Sequence, residues 1–455
     1  MGEAFSADLS TGLTKALARI ALPPPSELER LSGGASMESW RFVAGPATCV
    51  LRRAAAAELM QGRPLDHAGE AAVIAAARHA GVLAPEVLVE LAPEDGIGSG
   101  YVMRALPGTP DPNAILGAAD GAVLIGDIAT QLAAVHLTDC AGLSMPLLDT
   151  TQSLADLRGR FLDYGGDRPI LALALRWLEQ NLPEPVPPQL VHGDFRLGNL
   201  LVEGSRLTGV LDWELAHLGD WHEDLAFGCM TVWRFARPDR PAYGLAPLAA
   251  LVEAYEAASG ATFDPARFRF WTIYRTLWWA LGCLQMGGYW RAGHDRSVER
   301  VVVARRTSEQ ELDLLLLLEE LAPEAERQRP LPPPSDPLAI AKGEPNAPEI
   351  LTAVAEWLAS DIKPLVTGRG KFDLAVARNA LSIVSRELAQ RPVATDAALA
   401  ADLLAGRADL ATPGLLAKLR RMALAKLAAD MPKYPALAQA RALWAKDEQG
   451  TPDGL

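Results

Sequence analysis

The chain has 455 residues, 49% of them hydrophobic, and a formal net charge of −13 at pH 7. That is more chain than one ordinary core accommodates, so about two to four domains are expected, and the acidic balance disfavours a broad phosphate-tracking surface and hence nucleic acid as a partner. No run approaches the ~20 uninterrupted apolar residues that span a bilayer; the richest, Leu314 to Leu318, sits between Asp313 and Glu319.

The first segment, up to about Leu22, reads as a helix stopped by Pro23-Pro24-Pro25, a run that cannot continue it. It is expected to be an appendage over residues 1–25, and its start lacks the basic residues and apolar stretch of a signal peptide. From Leu31 the pattern changes to short apolar stretches around turns: LSGGAS, ESWRFVA, a Gly45-Pro46 turn and ATCVLRR, which read as strands joined by hairpins. After Asp66, HAGEAAVIAAARHAG predicts an alanine-rich helix closed by Gly81. Extended segments follow at Glu86 to Leu91 and Tyr101 to Ala105, and a hinge is expected near Leu106. Residues 26–105 thus read as a β-rich lobe.

Beyond Pro107-Gly108, GDIATQLAAVHLTD and SLADLRGRFLDYG carry apolar residues at three- and four-residue intervals, the helical signature. Strand-like pieces return at Gln189 to Val191, Asn199 to Glu203 and Leu207 to Asp212. Strands first and helices later imply an α+β protein of two lobes, the second over residues 106–328. The proline- and charge-rich stretch from Glu326 to Pro348 reads as an extended linker, centred on 329–348. Residues 349–455, rich in Ala and Leu, read as an additional small all-α domain. Four separated cysteines (Cys49, Cys140, Cys229, Cys283) with no C-x-x-C pair suit a reducing cytoplasm, and the histidines lack zinc-ligand spacing.

The chemistry concentrates in VHGDFRLGNLLVE, from Val191 to Glu203, and LTGVLDWELAHLGDWHEDLA, from Leu207 to Ala226. Polar groups lie between two apolar β-type runs, so a loop leaves one strand and a hairpin brings a second acidic set nearby. Asp194 and Asn199 stand five positions apart across that loop and Asp212 ends the next strand. Phosphoryl transfer needs this inventory: a carboxylate to orient the attacking hydroxyl, and hard oxygen ligands to hold Mg²⁺ on phosphates. Taken singly, each could instead cap a turn or satisfy loop backbone. Glu214 is either an additional carboxylate of this site or half of a surface ion pair; Asp220 and Asp224 read as loop braces and helix caps, and His217 and His222 as structural.

H-G-D-x-x-x-x-N, then a strand and L-D-W-E, resembles the aminoglycoside phosphotransferase-like (choline kinase-like) family of the protein-kinase-like superfamily, over roughly Leu31 to Leu321. The resemblance implies a bilobal protein-kinase-like fold and an ATP-dependent, Mg²⁺-dependent kinase acting on a small-molecule hydroxyl. Carried over, Asp194 is the catalytic base, Asn199 a metal ligand, Asp212 the principal metal ligand and His192 a support of the loop. The phosphate-covering turn falls at Ser32, Gly33, Gly34 and Ser36, without a G-x-G-x-x-G. Arg52 stands where a lysine commonly meets the phosphates, with Arg53 the competing choice, since strand alternation lets only one face the cleft. Glu70 would orient Arg52, and Tyr101 to Ala105 would form the adenine hinge with Met103 near the base.

For the acceptor, FRFWTIYRTLWWALGCLQMGGYWRAGHDR places Trp271, Arg275 and Trp278 on one helical face, where an aminoglycoside site would need carboxylates. Apolar walls with arginines suit a hydrophobic anionic substrate, although the same aromatics could simply fill a core. The wording of the two motifs is similar to phosphotransferase domains found fused to acyl-CoA dehydrogenases, which implies a hydroxy acid or hydroxyacyl-CoA acceptor. The competing readings are a nucleotide-binding scaffold or pseudokinase and an aminoglycoside or macrolide kinase. No membrane or nucleic-acid partner is expected; the oligomeric state is left open.

Overall fold

The computed structural model describes residues 2–31, 37–54, 60, 65–294, 298–332, 347–389 and 396–444. It divides into two compact units, residues 1–149 with 184–268 and residues 150–183 with 269–455. These boundaries do not coincide with those expected at 25, 105, 328 and 348; the packing described below gives the reasons.

In the first unit, helix α1 (Gly2–Ala18) precedes an antiparallel sheet of β1 (Ser26–Arg30), β2 (Glu38–Ala44), β3 (Ala47–Ala54), β4 (Val87–Glu90) and β5 (Ser99–Arg104), in the order β1-β2-β3-β5-β4. The Gly45-Pro46 turn and alternating burial along β3 make the β2–β3 hairpin, registered Trp40 to Leu51 and Phe42 to Cys49. Helix α1 is no loose appendage. Leu9, Leu13 and Leu17, spaced one helical turn apart, are buried on Phe42, Leu51, Ile97 and Val102, and Arg19 closes the contact with Asp95 at 2.6 Å. Helix α2 (His67–His79) starts where the Asp66 carboxylate accepts from Gly69 N at 2.7 Å.

The larger core of this unit lies under helices α3 (Pro112–Ala118), α4 (Gly121–His136), α7 (His222–Gly228) and α8 (Leu248–Ser259). Leu124, Ile128 and Leu132 of α4 and Leu251 and Tyr255 of α8 join it. Two short antiparallel pairs sit in the same core: β6 (Gln189–Val191) with β9 (His217–Gly219), and β7 (Leu200–Glu203) with β8 (Arg206–Val210). Shared burial of these strands with α2 and α4 residues joins the expected first lobe to residues 106–149 and 184–268 of the expected second in one compact unit.

The second unit is helical: α5 (Thr150–Arg160), α6 (Pro169–Gln180), α9 (Pro265–Ala292), α10 (Val298–Arg305), α11 (Thr307–Glu319), α12 (Glu324–Arg327), α13 (Ala347–Trp357), α14 (Arg369–Ala389), α15 (Ala397–Leu404), α16 (Leu415–Asp430) and α17 (Pro435–Trp444). Helix α11 explains why the terminal helices are not a separate body. It buries Leu312, Leu314, Leu315 and Leu318 together with Glu311, Asp313 and Glu319, and buried carboxylates require partners. The chain beyond residue 396 supplies them: Lys426 reaches Glu311 at 2.9 Å, Arg420 reaches Glu319 at 2.9 Å, Trp444 Nε1 donates to Glu319 at 3.0 Å and the Tyr434 hydroxyl donates to Asp313. Most of the expected linker, residues 333–346, lies outside the described residues. The architecture is α+β, an N-terminal antiparallel sheet followed by a mostly helical remainder with a helical C-terminal region.

Candidate active site

The H-G-D loop leaves β6 at Val191 and is held from beneath. Asp224, in the first turn of α7 and fully buried, accepts the backbone N–H of His192 at 2.7 Å and of Gly193 at 2.9 Å. His136 of α4 donates from Nε2 to the same carboxylate at 3.2 Å, and its Nδ1 accepts the Tyr255 hydroxyl at 2.8 Å. Burial opposes ionisation of Asp224, but these donors keep its carboxyl below the usual range. Gly193 turns the chain at φ +81, and a Cβ there would sit 2.5 Å from Leu215 O, so only glycine fits.

His192 bridges to the next hairpin. Its Nε2 donates to Leu211 O at 3.1 Å and its Nδ1 accepts from Asp194 N at 3.3 Å, a neutral tautomer consistent with burial pushing its pKa down. Leu211 N in turn donates to Asn199 O at 2.8 Å, tying the loop to the segment that carries Asp212. The Asp194 carboxylate is gripped on two sides: Arg196 Nε donates at 2.8 Å and Asn199 Nδ2 at 2.6 Å. Burial drives the Asp194 carboxyl up to about 6; Arg196 pulls it down and Asp212 pushes it further up. Arg196 itself lies 4.3 Å over the Trp233 ring, which fixes its fork.

Asp212 does not end β8 but lies two residues past it, at φ +68, a left-handed conformation unusual for a non-glycine residue and tolerated best by Asp and Asn. Its Oδ1 accepts from Arg52 Nη2 at 2.6 Å, and Glu214 Oε2 accepts from the same nitrogen at 2.6 Å. Arg52 Nε stands 3.4 Å from Glu70 Oε1. Burial alone would lower the guanidinium's pKa, but Asp212 and then Glu70 hold it above its ordinary value. Burial likewise lifts the Glu70 carboxyl to about 6, against the pull of Arg52.

Of the two arginines of β3, Arg52 is the one that meets these acidic groups. Arg53 faces the other side of the sheet, where Nη2 donates to Glu38 at 2.6 Å and Nη1 to Ile97 O at 2.9 Å. Met103 pairs with Val50 and Val87 across the sheet and packs half-buried at the edge of the larger core. Ser32, Gly33, Gly34 and Ser36 lie outside the described residues. In the second unit, Trp271 is 1% exposed and makes edge contacts with Phe270 and Tyr274; Arg275 is buried 5.0 Å from the centroid of the half-buried Trp278. Trp271 is thus part of the packing, the role that the alternative reading of these aromatics gave it. Asp220 accepts from His222 Nδ1 at 2.7 Å and from Arg267 at 2.9 Å, and His217 Nε2 stands 3.2 Å from Glu223, which makes these groups braces of the corner after β9. Arg196 was not anticipated; its position two residues after Asp194, within reach of its own loop, was the available signal.

Among the described residues no group of three or more His, Cys, Asp or Glu side chains is arranged to hold a metal ion. Asn199 and Asp212 nonetheless fit a hard divalent cation that also binds phosphates and water. Asn199 has spent its amide N–H on Asp194, leaving its carbonyl oxygen to offer. Among the described residues Glu70, Asp194, Asp212 and Glu214 form ion pairs with Arg52 and Arg196, four carboxylates against two guanidinium groups.

Residues 27–271, more than half of the chain, match the model of the phosphotransferase enzyme family APH, and the chain belongs to that family. It is similar to acyl-CoA dehydrogenase family member 10 of Mus musculus, 42% identical over 67 residues, which is 14% of this chain and 6% of the relative. It is also similar to a probable acyl-CoA dehydrogenase of Arabidopsis thaliana, 43% identical over 60 residues (12% and 7%), and to a homoserine kinase of Bartonella henselae, 32% identical over 82 residues (18% and 25%). The matched segments thus span a quarter or less of each relative's length. Among solved structures, a thermostable mutant of aminoglycoside phosphotransferase APH(4)-Ia aligns at TM-score 0.47 and 18% identity over 69% of this chain and 99% of that one. A macrolide 2'-phosphotransferase from Brachybacterium faecium aligns at 0.45 and 22% over 62% and 93%.

Proposed function

We propose that the chain transfers the γ-phosphoryl group of ATP to a hydroxyl of a small organic acid or acyl-CoA ester. The hydroxyl oxygen bonds to the γ-phosphorus, the bond from phosphorus to the bridging oxygen breaks, ADP leaves, and the hydroxyl proton passes to an Asp194 carboxylate oxygen. One observation carries this reading: Asp194 is held by Arg196 and Asn199 beside a hairpin that presents Asp212 and Glu214 to a single sheet arginine. Asp194 orients and accepts the proton; His192 and Asp224 keep its loop in place; Arg52, oriented by Glu70, supplies positive charge to the phosphates. Asn199 and Asp212 would hold Mg²⁺, which when bound neutralises phosphate charge.

The acid or acyl-CoA class is supported by the partial likeness to proteins named as acyl-CoA dehydrogenases. The four cysteines are free thiols, and no described helix is long and apolar enough to cross a membrane; the thiols support a reducing cytoplasm as its location. The test is Asp194→Ala, measured by ADP release with a screened acceptor and by calorimetric Mg·ATP titration. Turnover is expected to fall on the order of 10²-fold or more, the contribution of a positioned proton acceptor, with nucleotide affinity kept. Near wild-type ADP release from the variant would remove Asp194 from this role, and nucleotide binding by the wild type without transfer to any hydroxyl would favour a scaffold instead.

A further inference from the structure

Helix α5 ends in a π-helical turn, Phe161–Gly165, a rare form that recurs at functional sites. The turn projects Arg160 and Tyr164 toward α9. The Arg160 guanidinium lies 5.8 Å from the centroid of the Trp278 ring, and Arg275 stands 5.0 Å from the same ring. Arg160 Nη2 donates to Gln285 Oε1 at 3.3 Å, and Gln285 Nε2 donates to the Tyr289 hydroxyl at 2.9 Å. One glycine of α9 lets the turn come close: a Cβ on Gly288 would meet the Tyr164 ring at 3.0 Å. Arg160, Tyr164, Trp278 and Gln285 are half-buried and Tyr289 is exposed, so the cluster is open to solvent, whereas Trp271 and Arg275 are buried.

Among the described residues Arg160 meets neither a carboxylate nor a backbone carbonyl, only the Gln285 amide. Arg52, Arg53, Arg196, Arg305, Arg306 and Arg420 each meet a carboxylate within 3.4 Å. Around Arg160 no described carboxylate stands within ion-pair distance, and Asp163 of the same turn is exposed. Burial therefore pulls the Arg160 pKa down, opposed only by the hydroxyls of Tyr274, Tyr289 and Tyr164. A half-buried guanidinium is costly to desolvate without an anion, and its planar fork matches a carboxylate or phosphate.

We propose that Arg160, Trp278, Gln285 and Tyr289 form a subsite for the oxyanion of an organic acid or ester, with the guanidinium and the tyrosine hydroxyl donating to the oxyanion and the ligand's apolar part lying on the indole. The subsite rests on the phosphotransfer reading only for the class of ligand it would take, and it disfavours polycationic ligands, whose ammonium groups Arg160 and Arg275 would repel. The oxyanion is a carboxylate in a free hydroxy acid and a phosphate in a CoA ester.

The test is calorimetric titration of the full chain with 3-hydroxyoctanoate, its methyl ester and its CoA thioester, on wild type, Arg160→Ala, Arg160→Gln and Arg160→Lys, with thermal melting as the folding control. The wild type should bind the acid or the thioester and discriminate against the neutral ester. Removing the guanidinium should weaken the anionic ligand on the order of 30-fold or more, as for one partner of a desolvated charge pair, with partial recovery in the lysine variant and no change toward Mg·ATP. A loss confined to the free acid assigns a carboxylate; a loss on the thioester assigns a phosphate. Wild-type affinity for the methyl ester equal to that for the anionic ligand that binds, no binding of either anion, or undiminished binding by folded Arg160→Gln would overturn the subsite. Binding and ADP release fail separately: an acid that binds through Arg160 and never yields ADP would sink the phosphotransfer reading and leave the subsite standing.

Discussion

Asp224 offers the sharpest test of how the loop is built. Its two carboxylate oxygens serve three donors, the backbone N–H groups of His192 and Gly193 and the His136 ring, inside a region it shares with no solvent. In Asp224→Ala both N–H groups lose their acceptor, and each buried donor left unmet costs about 1–3 kcal/mol. Together with the orphaned His136, a loss of about 3–5 kcal/mol is expected, the range for removing one partner of a buried polar pair. Asp224→Asn keeps one acceptor and turns an NH₂ group on the other donor, so it should recover part of that loss. Urea unfolding reads the stability change as a lower midpoint at unchanged slope. Turnover should fall further than nucleotide affinity, because the carboxylate moves the loop bearing Asp194 and Asn199, and a 1 Å misplacement costs on the order of 10²-fold. A folded Asp224→Ala protein that loses stability yet turns over at the wild-type rate would refute the positioning role; an unchanged midpoint would refute the packing argument itself.

Two further perturbations test other parts of the molecule. The Glu70 carboxyl sits at about 6 in the fold against an ordinary 4.5, so the folded state binds the extra proton; its contribution to stability is full below pH 4.5 and is lost as pH rises through 6, amounting to about 2 kcal/mol. Glu70→Gln should therefore flatten stability against pH over that window, and identical pH slopes for the two proteins in urea unfolding would contradict the burial of Glu70. Arg420→Ala should cost about 3–5 kcal/mol by leaving Glu319 short of its cation within the helical unit; a wild-type urea midpoint would mean that the terminal helices are not bound to α11 by these pairs.

Local signals in the sequence were strong where the chain makes its own decision. Gly45-Pro46 between two alternating runs marked the β2–β3 hairpin, and Asp66 and Gly81 bounded α2. The spacing of Asp194, Asn199 and Asp212 marked the acidic loop and hairpin, which the fold brings together through His192 and Leu211. Strand β1 was missed because SELER is polar and mostly exposed at a sheet edge, where burial imposes no alternation. Alternation stated that only one of Arg52 and Arg53 could face the acids; the answer depended on Glu38, Ile97 and Asp212, partners up to 160 positions away. The terminal helices were set apart by the proline-rich stretch before them, yet the residues that satisfy Glu319 and Asp313 lie more than 100 positions downstream.

The arginines show why residue type alone could not carry these assignments. In Arg52 and Arg196 the guanidinium holds carboxylates in a chosen orientation; in Arg306 and Arg420 it neutralises acids that helix packing has buried. Each is silent in sequence, because a guanidinium reaches about as far toward a core acid as toward a ligand. The discriminating quantity is the charge balance of the folded neighbourhood. In a chain of net charge −13, acids outnumber bases and a buried cation readily finds a partner. Arg160, in contact instead with an amide and an indole and near tyrosine hydroxyls, departs from that balance, and an anion from outside the chain restores it.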